Sequence, residues 1–98
     1  MANDLRWTER ASDEYERLMD YLLSEWGEQI SLRVRKEIDQ TITRIQNSPE
    51  HFPIFRKIKK IRRCVASPQT SVYFKLAENV VEIISVFDNR QNPRKLKL

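Results

Sequence analysis

One glycine, one cysteine and one histidine occur in 98 residues, and each scarcity removes a class of chemistry. Phosphate loops, dinucleotide fingerprints and nucleophile elbows place glycines at fixed spacings, and none of these motifs is present. Cys64 alone cannot close an internal disulfide, a usage that fits a reducing compartment. His51 has no cysteine or histidine at metal-ligand spacing, so neither a metal nor a cofactor is expected. No apolar run approaches the roughly 20 residues of a membrane span. The opening MANDLRWTER also lacks the apolar stretch of a signal peptide. These absences predict a soluble, cytoplasmic protein with no membrane partner.

What is present suffices for one core. Hydrophobic residues make up 40% of the chain, with two Trp, three Tyr and four Phe, so residues 1–98 are expected to fold as a single domain. The charge is unevenly placed. Residues 1–55 carry 7 Lys/Arg against 11 Asp/Glu, a balance of −4, and residues 56–98 carry 11 against 3, a balance of +8. Such polarity suits an anionic partner (nucleic acid or an acidic protein), pairing between the halves, or simple solvation.

The last third reads as three strands in succession: Ile61–Ala66, Thr70–Leu76 and Val80–Phe87. Val72, Phe74 and Leu76 alternate with Tyr73 and Lys75, the period of a half-buried strand. In the final strand Val81, Ile83 and Phe87 fall on one face and Val80, Ile84 and Val86 on the other, which predicts an interior strand. The connections are short enough to force antiparallel hairpins, and the tail beyond is basic and polar.

Leu5–Trp7 reads as a first strand and Thr8 as a helix N-cap. Ala11, Tyr15, Leu18, Met19, Leu22 and Trp26 hold one face of a helix, with Asp13, Glu14, Glu16 and Arg17 turned outward. Gly27 sits where a left-handed helix terminus wants glycine. Ile30, Val34, Ile38, Ile42 and Ile45 then mark a second helix, ended by Asn47-Ser48-Pro49. Glu50–Lys60 is a connecting segment. The order β-α-α-β-β-β predicts an α+β fold in which a helical hairpin covers one face of a small antiparallel sheet. The other face is left partly open, and Trp7, Tyr15 and Trp26 join the shared core.

The candidate site is basic. Lys57, Lys59, Lys60, Arg62 and Arg63 lead into the first strand of the meander, Lys75 lies on the middle one, and Arg90, Arg94, Lys95 and Lys97 follow the last. Lys60, Arg62 or Arg63, Lys75 and Arg90 are candidates to converge on the open face, with Tyr73 among them as a stacking surface. Such a cluster holds phosphates or an acidic peptide and can stabilise a transferring phosphoryl group. Alternation puts Arg62 and Arg63 on opposite faces, so one of the two points into the site; which one stays open. Asp88-Asn89-Arg90-Gln91-Asn92-Pro93 is either an ordinary strand-ending turn or a device in which Asp88 holds Arg90 towards a ligand.

Several of these segments, taken together and in order, resemble the RelE/ParE superfamily, the toxins of type II toxin–antitoxin modules (plasmid-stabilisation proteins among them). The resemblance covers nearly the whole chain. It rests on Leu5-Arg6-Trp7-Thr8-Glu9-Arg10-Ala11, on Tyr21-Leu22 with Trp26-Gly27, and on Asn47-Ser48-Pro49 with Phe52-Pro53. Ile61-Arg62-Arg63-Cys64-Val65 and Val86-Phe87-Asp88-Asn89-Arg90-Gln91-Asn92-Pro93 complete it. It implies growth arrest, a cognate antitoxin as partner, and one of two activities. RelE-like members cut mRNA on the ribosome, with basic residues on the sheet and a C-terminal tyrosine or histidine; ParE-like members poison DNA gyrase and lack those groups. Here Phe87 and Asp88 stand where many nucleases carry the aromatic or histidine, and no Tyr or His follows Tyr73. General acid–base cleavage therefore lacks an assigned residue, and the gyrase activity is the one expected. Were the chain a nuclease, Arg62, Arg63, Lys75 and Arg90 would be its catalytic candidates.

Overall fold

Thr8 fixes the first corner of the molecule. In the computed structural model, which describes residues 3–98, strand β1 (Asp4–Trp7) stops there and helix α1 (Glu9–Trp26) begins. The Thr8 hydroxyl accepts from the Ala11 amide at 3.1 Å and donates to the Ile84 carbonyl at 3.2 Å. One side chain thus caps the helix and ties it to the sheet. Gly27 alone separates α1 from α2 (Glu28–Asn47). Its φ is 88° and its ψ 175°, so φ is positive as expected but ψ is extended. That combination is open to glycine and to almost nothing else. The Gly27 amide closes α1 on the Leu23 carbonyl, and its own carbonyl accepts from Ser31 to start α2.

After a 3-10 turn at Pro49–His51 come β2 (Ile54–Arg56), β3 (Ile61–Ser67), β4 (Thr70–Ala77) and β5 (Val80–Asp88), with a last 3-10 turn at Pro93–Lys95. The three expected strands are present, each one residue longer at its end. A fourth, β2, lies in the segment expected to be a connector. The sheet order is β1-β5-β4-β3-β2. β2, β3, β4 and β5 pair antiparallel, whereas β1 runs parallel to β5, Leu5 opposite Val81 and Trp7 opposite Ile83. The α+β class holds, but the sheet is mixed. A parallel neighbour needs a long crossover, and the helical hairpin lies within the chain between β1 and β5.

The helices bury one face of the sheet. Ala11, Ile38, Ile42 and Ile45 meet Cys64, Val72, Phe74, Val81, Ile83 and Val86, with Tyr15, Leu18, Met19 and Trp7 packed around them. Strict alternation would place Phe87 rather than Val86 with Val81 and Ile83. The register shifts between Tyr73↔Ser85 and Phe74↔Ile83, leaving Ile84 as one extra residue in β5. That bulge reverses the faces beyond it. Phe87 therefore joins Ile84 on the opposite face, in a second cluster with Ile61, Tyr73, Leu96, Phe55 and Leu98. This second cluster corrects the picture of an open face above a polar tail. Leu96 is 6% exposed, and the Arg10 guanidinium donates to the carbonyls of Lys95, Leu96 and Lys97, holding the tail in place.

Trp26 is a second correction. Trp7 and Tyr15 meet edge to face at 5.5 Å within the core, but Trp26, at the tip of the hairpin, is 60% exposed. Leu23 in the same last turn is 54% exposed, so the apolar residues at this end of α1 are uncovered.

Glu14 is a third. Expected to point outward, it reaches the outer edge of β5 instead. β1 pairs only with Val80–Ile83, so the stretch of β5 beyond would present bare backbone groups. The Glu14 carboxylate accepts from the Ser85 hydroxyl at 2.8 Å and the Val86 amide at 3.3 Å. A side chain thus continues what β1 leaves unfinished.

Candidate functional site

Arg62 and Arg63 separate as alternation requires, and the structure decides which one faces the second cluster. Arg62 turns towards the 3-10 turn, donating to the Phe52 carbonyl at 2.6 Å and the Glu50 carbonyl at 3.4 Å. It pins the segment that carries His51. Arg63 lies on the other face, where Nε and Nη2 both donate to the Ser71 hydroxyl at 3.2 Å. Its guanidinium carbon is 5.9 Å from the ring centres of both Phe55 and Tyr73, within cation–π range. Neither arginine has a carboxylate partner among the described residues.

Tyr73 is only 3% exposed, with Phe55 edge-on at 5.0 Å. It serves as a wall behind Arg63 rather than as a free face on which a base could stack. Lys75, two residues further along β4, lies opposite Glu82. That carboxylate is taken by Arg6 at 2.6 Å, which leaves the Lys75 ammonium without an ion-pair partner among the described residues. Lys60 closes the turn between β2 and β3 and is exposed, with a left-handed φ of 54°.

Arg90 does not join them. Asp88 holds it, with Nε on Oδ1 at 3.0 Å, Nη2 on Oδ2 at 2.8 Å and the Arg90 amide also on Oδ1 at 2.9 Å. Both readings of this segment have a counterpart: the chain turns, with the Gln91 amide donating to the Asp88 carbonyl at 3.0 Å, and Asp88 holds Arg90, but away from the sheet cations. Arg90 lines a cleft of about 1020 Å³ between α1 and the end of β5, alongside Arg10, Glu14, Arg17, Tyr21 and Lys97. The bulge in β5 turns this end of the strand towards α1, away from Arg63. The Arg90 guanidinium holds the Asp88 carboxyl below the usual carboxylate range, and burial opposes this less strongly. Both oxygens accept from a permanent cation, so Asp88 is a poor proton acceptor for any reaction.

The face around Arg63 thus offers cations and an apolar wall, and no carboxylate is paired with those cations among the described residues. Cys64 sits behind it, buried towards the helices, and burial raises its thiol pKa; it is no nucleophile at neutral pH. Two residues that organise these surfaces carry no local signal. Arg10 anchors the tail and Glu14 caps the edge, both through contacts more than 70 residues away in the chain.

The fold has relatives among solved structures. A chain of the chromosomal ParDE toxin–antitoxin system of P. aeruginosa superposes with a TM-score of 0.76 at 15% identity, over 89% of this chain and 96% of that one. A conserved hypothetical protein from Helicobacter pylori gives 0.61 at 13% identity, over 91% and 97%. A YoeB/ParE toxin from Agrobacterium tumefaciens gives 0.56 at 14% identity, over 87% and 96%. At such identities these likenesses speak for the fold alone. No curated protein matches the chain by sequence. The family described as "ParE toxin of type II toxin-antitoxin system, parDE" matches residues 5–93, from β1 to the start of the last 3-10 turn. With nearly its whole length matched, this chain belongs to the ParE toxin family of type II toxin–antitoxin systems.

Proposed function

We propose that this chain is a ParE-like toxin that arrests growth by inhibiting DNA gyrase, acts in the cytoplasm, and is held inactive by a cognate antitoxin. The observation that carries this reading is the pairing of Asp88 with Arg90. Asp88, which stands in the sequence where many nucleases carry the aromatic or histidine, has its carboxylate taken by Arg90 and turned away from the cations around Arg63. The cations around Arg63 then serve to bind a partner, not to cut one. A RelE-like, ribosome-dependent mRNA endonuclease is the second reading. It draws on Arg63 and Lys75, which are free of carboxylates on the sheet face and suited to holding a scissile phosphate.

Supercoiling by purified bacterial gyrase tests the first reading. The protein is expected to abolish supercoiling and to accumulate cleaved DNA, and addition of its antitoxin is expected to reverse both effects. Arg63→Ala removes a charged hydrogen-bonding group and should weaken inhibition by about 10- to 100-fold, while the variant keeps its fold. Undiminished supercoiling in the presence of excess folded protein would remove gyrase as the target.

A further inference from the structure

The turn between β2 and β3 plays no part in the core. Arg56, Lys57, Ile58, Lys59 and Lys60 are all exposed, and Ile58 is 98% exposed at the tip. None of the four cations has an ion pair among the described residues. From His51 to Ala77 the chain holds no acidic residue at all, so no acid within that stretch offsets them. Lys60 also occupies the left-handed region, where glycine or asparagine is the cheaper choice. A lysine thus stands at a position that local backbone preference does not favour.

We propose that this hairpin is a contact for duplex DNA, its lysines on the phosphates and Ile58 against the groove. β2 is the outermost strand of the sheet, so the turn stands at a free edge, where its cations can reach the phosphates bordering the B-form major groove, about 12 Å wide. Single-stranded RNA is recognised largely by stacking on exposed aromatic faces, and this surface offers none. Tyr73 is buried, and the guanidinium of Arg56 covers the Phe55 ring at 4.5 Å. The major groove of duplex RNA is too narrow to be read. A membrane surface suits the cations less well, because Arg63 lies three residues beyond Lys60, about 10 Å behind it along the chain. Cations at stepped depths follow a groove wall better than a plane of headgroups.

The inference stands apart from the gyrase reading, since its probe contains no gyrase. The full-length protein is titrated against a fluorescent duplex of about 20 base pairs, with anisotropy read between about 50 and 200 mM salt. If about four phosphates are neutralised, affinity should fall about 100-fold over that range. K57A/K59A/K60A should cut that salt dependence to about 3- to 4-fold, as expected for about one remaining phosphate contact. Ile58→Ala should weaken binding and leave the salt dependence unchanged. All four positions are solvent-exposed, and circular dichroism confirms that each variant is folded. The single charge reversal Lys59→Glu repeats the test with the least perturbation. Absence of duplex binding at low salt, an unchanged salt dependence in the lysine variants, tighter binding to single-stranded RNA, or binding only to anionic vesicles would each overturn the proposal.

Discussion

Phe74→Ala is expected to lower stability by about 3–5 kcal/mol, the range for removing a fully buried aromatic from a packed core. Phe74 is completely buried and meets Phe52 edge to face at 5.9 Å. It sits on the middle strand of the sheet, within the cluster that joins the helices to β3, β4 and β5. A domain of this size gains only about 5–15 kcal/mol in total, so a large share of it would be lost. For a domain near 100 residues each kcal/mol moves the midpoint by roughly 4–8 °C, and a thermal melt should therefore fall by about 15–30 °C. A shift of less than about 5 °C would mean that the helices can repack onto the sheet without that ring, contrary to the packing described.

The second large effect comes from a residue that looks like ordinary helix surface. Glu14→Ala removes the acceptor shared by the Ser85 hydroxyl and the Val86 amide. Ser85 is fully buried, and each buried group left without a partner costs about 1–3 kcal/mol. A loss of about 2–4 kcal/mol follows if water reaches neither group fully. Glu14→Gln keeps an acceptor oxygen and should recover most of it. Glu16→Ala, on the exposed side of the same helix, should change little. Chemical denaturation of the three variants checks the series; equal effects of Glu14→Ala and Glu16→Ala would contradict the edge-capping role.

These two cases show what a sequence makes visible. Val72, Phe74 and Leu76 alternate over a full strand, and Ile38, Ile42 and Ile45 repeat along a full helix, so hydrophobic periodicity places them directly in the core. The Thr8 cap and the Gly27 break are local chemistry and are equally legible. What stays hidden depends on contacts between distant segments. β2 is three residues long and exists by virtue of pairing with β3, with no alternation long enough to announce it. The parallel partnership of β1 and β5 brings together residues 76 apart in the chain. The bulge at Ile84 is a single inserted residue, yet it moves Phe87 to the second cluster and sends Arg90 to the cleft beside α1.

The same reasons divide the candidate site. Alternation separates Arg62 from Arg63 correctly, because the two share a regular strand. The face each one takes follows from where the helices settle, which no local pattern shows. Arg63 and Lys75 remain on the expected surface, Tyr73 stands behind them as a wall, and Arg90 is bound to Asp88 elsewhere. Leu96 and Leu98 read as parts of a basic tail, since two isolated leucines among lysines have no period. Their role emerges only from the apolar surface of Ile61, Tyr73 and Phe87 that they cover.

The central claim, a toxin that stops growth through DNA gyrase, is tested most directly in living cells. The chain is induced without its antitoxin, and DNA synthesis and protein synthesis are followed separately by brief metabolic labelling. The account predicts that DNA synthesis falls first, accompanied by a DNA-damage response, while translation continues for a time. Translation stopping first, with mRNA cut within ribosomes, would contradict it and make Arg63 and Lys75 parts of a nuclease site.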